Sequence, residues 1–124
     1  MTSRHKRGAD AWRRGRAAER LAAWMLRAKG FWIVAERFAC PQGEVDLIVR
    51  RGRLLVFVEV KARHDSAAAA EAITWRQRQR IARAAEIFLQ QRPEFTGFDL
   101  RFDAVVMGIR DRPRHMADAW RPEV

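Results

Sequence analysis

The chain carries one cysteine, Cys40, and no tyrosine. A lone thiol closes no internal disulfide and builds no cysteine-based zinc cluster. Within its apolar stretch Cys40 reads as a small buried hydrophobe. No apolar run approaches the roughly 18 residues of a membrane span, and the basic start lacks the apolar segment of a secretory signal. A membrane partner is therefore not expected, and the expected compartment is the cytoplasm. Acidic residues are also scarce: 15 Asp and Glu stand against 25 Lys and Arg, for a formal charge of +10. The excess is mostly arginine, whose planar fork of donors matches phosphate oxygens. The balance points to a polyanion, with nucleic acid ahead of an anionic membrane.

What is present suits one compact unit. A length of 124 residues and 48% hydrophobic content match a single domain with a real core. Residues 1–10 are basic and without periodicity, and are expected to form a mobile arm ahead of a domain over 11–124. Ala18, Leu21, Ala22 and Met25 recur at helical spacing, and Lys29 followed by Gly30 is a stop signal, so a helix is expected over 11–29. Aromatic and β-branched residues mark a strand over 31–40. Two further strands, 44–49 and 54–61, follow the turns at Pro41-Gln42-Gly43 and Arg51-Gly52-Arg53. Turns this short permit only antiparallel neighbours. The third strand is apolar on both faces as far as Phe57 and is expected to be central. Thr74 and Gln77 have capping-box spacing ahead of the helical stripe Ile81, Ala84, Ala85, Phe88 and Leu89. A last strand is expected over 100–109, and a tail over 111–124 as loop plus a helical turn anchored by Trp120. The order α-β-β-β-α-β describes an α/β fold with a mixed β-sheet flanked by helices.

The polar residues of the central strands carry the chemistry. Period two puts Glu59 and Lys61 on one face of the third strand, about 6.6 Å apart. Glu44 and Asp46 share a face of the second strand, with Val45, Leu47 and Val49 opposite. Antiparallel pairing can set Asp46 against Glu59 with Cβ atoms about 5 Å apart. Two carboxylates so close repel unless a cation intervenes. A hard divalent ion, Mg²⁺ or Mn²⁺, resolves the conflict and keeps water ligands for a nucleophile or a phosphate. Lys61 would then hold a phosphate oxygen, act on the attacking water, or stabilise the developing charge. The same spacing also fits a plain surface salt bridge between Glu59 and Lys61.

The run Gly43-Glu44-Val45-Asp46-Leu47-Ile48-Val49 with Val56-Phe57-Val58-Glu59-Val60-Lys61-Ala62-Arg63 resembles the YraN family, also called UPF0102. That family is similar to the PD-(D/E)xK nucleases and to archaeal Holliday-junction resolvases. The likeness extends through Gly15-x-x-Ala18-Glu19, Gly30-Phe31, Ile73-Thr74, Ala84-Ala85 and Arg101-Phe102-Asp103. It implies a restriction-endonuclease-like fold, with Asp46 and Glu59 as metal ligands and Lys61 assisting the water. Glu19 corresponds to the further acidic ligand that nuclease relatives supply from the first helix. One departure stands out: Gln77 occupies the place of a lysine common in the family.

Arg76, Arg78, Arg80 and Arg83 are the candidate backbone-phosphate contacts on the second expected helix. Trp75 beside them is the tryptophan most expected to be exposed, where a base could stack on it. Trp12, Trp24, Trp32 and Trp120 are expected to serve packing. His5, His64 and His115 have no metal-ligand spacing, and Asp103 is expected to brace Arg101 or the site from behind. The resulting expectation is a nucleic-acid-binding protein that hydrolyses phosphodiesters with Mg²⁺ or Mn²⁺. DNA of branched or single-stranded character is favoured over RNA, and a homodimer is compatible. The alternative is a non-catalytic binder or scaffold whose acidic cluster is idle.

Overall fold

A computed structural model describes residues 2–109 and 111–122, with side chains from residue 15 onward within those bounds. The elements in chain order are α1 (Thr2–Ala28), β1 (Trp32–Cys40), β2 (Gly43–Arg51), β3 (Leu54–Arg63), α2 (Ser66–Glu71), α3 (Trp75–Gln91), a 3₁₀ turn (Pro93–Phe95), β4 (Asp99–Gly108) and β5 (Arg114–Trp120). The strands form one sheet in the order β1-β2-β3-β4-β5. β1, β2 and β3 pair antiparallel through their short turns. β3 and β4 pair in parallel, from Leu54 opposite Asp99 to Arg63 opposite Gly108. Parallel neighbours need a crossover, and α2 with α3 supplies it. The fold is the expected restriction-endonuclease-like mixed sheet flanked by helices.

Alternation along β3 sorts the core into two layers. Val56, Val58 and Val60 pack with Ala18, Ala22, Ala23 and Leu26 of α1. Leu55 and Phe57 pack with Ile81, Ala84, Ala85 and Phe88 of α3. A strand covered on both faces must be apolar on both, which is why β3 reads as a nearly continuous hydrophobic run. The helix ends follow their signals. Gly30 takes φ 92°, and the Phe31 amide donates to the Leu26 carbonyl while the Gly30 amide donates to that of Arg27, which closes α1 in a left-handed cap. Gly43 has a different duty: a Cβ there would lie 2.5 Å from the Arg80 carbonyl oxygen, so the β1–β2 turn sits directly on α3.

Two expectations are corrected. The segment over 1–10, expected as an aperiodic arm, continues the backbone of α1 from Thr2. Helix propagation from a packed half needs no apolar stripe, and Arg, Lys and Ala carry little helix penalty. The side chains of His5 and Trp12 lie outside the described residues. The tail is a strand, not a loop with a helical turn: β5 pairs antiparallel with β4. Trp120 is buried in the α3-side core as the anticipated anchor. The strand was hidden because its regular alternation breaks at Asp118, which takes φ 53°.

Asp103 repairs that break. The β4–β5 ladder is irregular between Phe102 and Ala104, and Asp103 Oδ1 accepts the orphaned Asp118 amide at 2.9 Å. The carboxylate, fully buried, also accepts two bonds from Arg101, each 2.8 Å, and one from His115 Nε2 at 2.6 Å. Lys29 Nζ lies 2.9 Å from His115 Nδ1. An ammonium can only donate, so Nδ1 accepts and Nε2 carries the proton given to Asp103. Asp103 thus braces Arg101 and fastens both β5 and the end of α1. Burial alone would raise its pKa, but the bonds from His115, Arg101 and the Asp118 amide outweigh burial and hold it near about 2.

Removing one partner from such a buried network costs about 3 kcal/mol. Asp103→Ala is accordingly expected to lower the melting temperature by about 10 °C at neutral pH. Because the native carboxyl stays ionised below the unfolded value, its contribution is complete above the unfolded pKa and is lost as pH falls toward about 2. Thermal melts followed by circular dichroism should therefore show the gap between wild type and variant closing in acid.

Candidate active site

β2 and β3 stay in register from Arg51 opposite Leu54 to Leu47 opposite Val58. The next pair along is Asp46 and Glu59, and there the backbone ladder stops. Asp46 Oδ2 accepts the Val60 amide at 2.8 Å, in the place a β2 carbonyl would fill. Val45 packs in the α3-side core, whereas Leu47 and Val49 pack in the α1-side core. The single face expected for Val45, Leu47 and Val49 is therefore interrupted. The cause is local: β2 turns over at Asp46, beside an irregular β1 in which Arg37 takes φ 52°.

Glu59 is almost completely buried, at 4% exposure. Its carboxyl is pushed up to about 10, first by burial, then by a hydrogen bond with Asp46 and the Asp46 charge, while Lys61 pulls it down. Lys61 Nζ stands 3.7 Å from Glu59 Oε1. With the Gln77 amide turned so that both of its ends are satisfied, its oxygen accepts from the same ammonium at 2.9 Å and its nitrogen donates to the Ala72 carbonyl at 3.2 Å. The expected capping box is thus only half formed. Thr74 Oγ1 accepts the Gln77 amide at 3.2 Å, but the Gln77 side chain turns to Lys61 instead of back to the cap. At the position where the family commonly has a cation, this chain supplies an acceptor.

Beside Lys61 opens a groove of about 870 Å³, walled by Glu19 and Leu21 of α1 and by His64 and Ile109 beyond the strand ends. Glu19 lines this groove, which neither Asp46 nor Glu59 lines, and its carboxylate is engaged by arginine. It accepts from Arg37 Nε at 2.8 Å and from Nη2 at 3.4 Å, and it lies 3.9 Å from Arg16. Among the described residues, no three Asp, Glu, His or Cys side chains gather closely enough to hold a metal ion. The structure brings Asp46, Glu59 and Lys61 together and sets Glu19 apart on the groove wall.

Residues 18–107 match the Uncharacterised protein family UPF0102. The chain belongs to this family. It is 54% identical over 115 residues to a UPF0102 protein of Parvibaculum lavamentivorans, covering 93% of this chain and 86% of that protein. It is 52% identical over 110 residues to one of Rhodopseudomonas palustris, covering 89% and 82%. The UPF0102 protein amb4503 of Paramagnetospirillum magneticum is 50% identical over 115 residues, with 90% and 89% covered.

The surface around this UPF0102 site divides the expected contact residues. Arg76, Arg80 and Arg83 are exposed on α3. Arg78 is half-buried, with its guanidinium 5.8 Å from the Trp120 ring centroid, so it packs the tail and is not on the open face. Trp75 is exposed at 63%, but Trp24 and Trp32 are more so, at 68% and 74%, which corrects the expectation that they serve packing. His64 is exposed beside the groove. No described helix is long and apolar enough to cross a membrane. Two site features were missed in the sequence. Arg37 carries no periodic signal, although an arginine inside an aromatic strand was a visible oddity. The tie from Gln77 to Lys61 joins residues far apart in sequence.

Burial of Glu59 beside Asp46 makes a pH-dependent prediction. Between the unfolded value near 4.5 and about 10, folded Glu59 keeps a proton that the unfolded chain releases. Stability therefore falls as pH rises through that window, by up to about 1.4 kcal/mol per pH unit. In urea unfolding at pH 6 and pH 8.5 without divalent ions, Glu59→Gln should lose less stability than wild type. Equal losses would contradict the assignment.

Proposed function

We propose that this UPF0102 chain binds nucleic acid and hydrolyses phosphodiester bonds with Mg²⁺ or Mn²⁺, with DNA preferred to RNA. The observation that carries this reading is the placement of the Asp46 and Glu59 carboxyls beside one another at the end of the central strands, with Lys61 3.7 Å from Glu59. Holding a second carboxyl against the buried Glu59 carboxyl is costly unless a proton or cation sits between them. The donor set fits a hard divalent ion: Asp46 and Glu59 offer two oxygens and leave its remaining positions to water and phosphate. Such an ion would supply Lewis-acid polarisation of a phosphate oxygen and a more acidic water.

The chain's own residues do the rest. Lys61 stands beside Glu59 as a cation that pairs with a non-bridging phosphate oxygen and offsets the charge that grows there. Exposed Arg76, Arg80 and Arg83 bind backbone phosphates on either side and set the strand's position without reading bases. Water adds to phosphorus as one P–O ester bond breaks, leaving a phosphomonoester and a hydroxyl.

A second reading has a specific observation behind it. Glu19 is tied to Arg37 and does not join the acid pair, which favours a nucleic-acid binder in which catalysis is idle. The two readings separate in a cleavage assay with Mn²⁺ against labelled duplex, flap, junction and single-stranded DNA and RNA. Catalysis predicts cutting of at least one substrate, reduced about 100-fold or more by Lys61→Ala and by Asp46→Asn. The asparagine keeps an oxygen for the Val60 amide, so the fold is retained. No cutting by wild type, together with binding that weakens steeply with salt, would establish the idle binder.

A further inference from the structure

Arg37 is an anomaly of both backbone and charge. It takes a left-handed φ of 52° inside β1, a strained conformation for a non-glycine residue. What this conformation gains within the protein is a salt bridge to Glu19 with side chains 33% and 17% exposed. A pair that keeps some contact with water gives little net stability. The strained backbone and the half-open ion pair together hold the Arg37 guanidinium against Glu19.

The surroundings suggest what this arrangement serves. Arg37 lies within electrostatic reach of Glu44 and Asp46 as well as Glu19, on the β1 side of the acid pair, while Lys61 flanks Glu59. A polyanion approaching Glu44, Asp46 and Glu59 meets like charge unless cations stand on both flanks. Glu19 grips Arg37 through Nε and Nη2, which leaves Nη1 for another acceptor. An arginine whose fork is already oriented loses less side-chain freedom when it takes a phosphate.

We propose that Arg37 is a phosphate-binding residue of this site, and that Glu19 anchors Arg37 instead of ligating the metal. This rests on the nucleic-acid reading above and revises the role that resemblance implied for Glu19. Glu19 lines the groove as the fixed end of a clamp whose free end is the guanidinium. Lys61 and Arg37 then bracket the bound phosphate backbone from opposite sides of the acid pair.

The test uses the full chain and a fluorescein-labelled DNA duplex with splayed single-stranded arms, read by anisotropy from 50 to 300 mM NaCl. Arg37→Asn removes the charge while tolerating the left-handed backbone. It should weaken binding about tenfold and lower the slope of log affinity against log salt by about 0.9, the signature of one lost phosphate contact. Arg37→Lys should keep the slope with reduced affinity, because a point charge replaces the fork. In parallel, Mn²⁺ binding measured by electron paramagnetic resonance should stay within twofold of wild type in Glu19→Gln. Wild-type affinity and slope in Arg37→Asn would overturn the proposal, as would a tenfold loss of Mn²⁺ affinity in Glu19→Gln. A wild type that binds neither DNA nor RNA at any salt would remove the nucleic-acid reading itself, and the proposal with it.

Discussion

The Asp46 carboxylate does in the side chain what a backbone carbonyl does elsewhere in the sheet. By accepting the Val60 amide it lets β2 leave β3 without an orphaned donor in the interior, where an unmet backbone group costs about 1–3 kcal/mol. Everything distinctive about the site follows from that substitution. The bond fixes one Asp46 oxygen, and the carboxylate is left beside a Glu59 carboxyl that burial has driven toward its neutral form.

The same device recurs at the other side of the sheet with the opposite outcome. Asp103 also accepts an amide where a ladder is irregular, yet it is surrounded by donors from Arg101 and His115. It is held ionised, near about 2, while Glu59 is held protonated, near about 10. The contrast lies in the company each carboxyl keeps. Asp103 is saturated and has no capacity for a ligand, which makes it a fastening. Glu59 has an acid neighbour and one ammonium at 3.7 Å, so a cation of higher charge would improve its surroundings.

Much of this was legible before any coordinates. Tight turns dictated the antiparallel meander, the two-faced apolar run identified β3 as central, and the spacing of Asp46 and Glu59 agreed with the register that the sheet adopts. The failures have one physical type. Asp118, Arg37 and the reversal at Asp46 are departures from strict period two, and period two is what the reading of strands relies on. Hence β5 was hidden, and Val45 was assigned to the wrong layer. Contacts between distant side chains were equally invisible: Glu19 could be singled out as a further acidic residue but not paired with Arg37, and Gln77 could be flagged as unusual without revealing its contact with Lys61. Helix position gave Arg78 the same standing as Arg76 and Arg80, although the tail beneath it takes Arg78 inward.

The seat of the β1–β2 turn on α3 has a mechanical corollary. Gly43 leaves no gap above the Arg80 carbonyl, and one turn earlier in the same helix Gln77 grips Lys61. The helix that displays Arg76, Arg80 and Arg83 is thus joined at one point to the strand bearing Asp46 and at another to the amine beside Glu59. Any load placed on those arginines is delivered to both halves of the acid pocket together, so α3 behaves as a yoke.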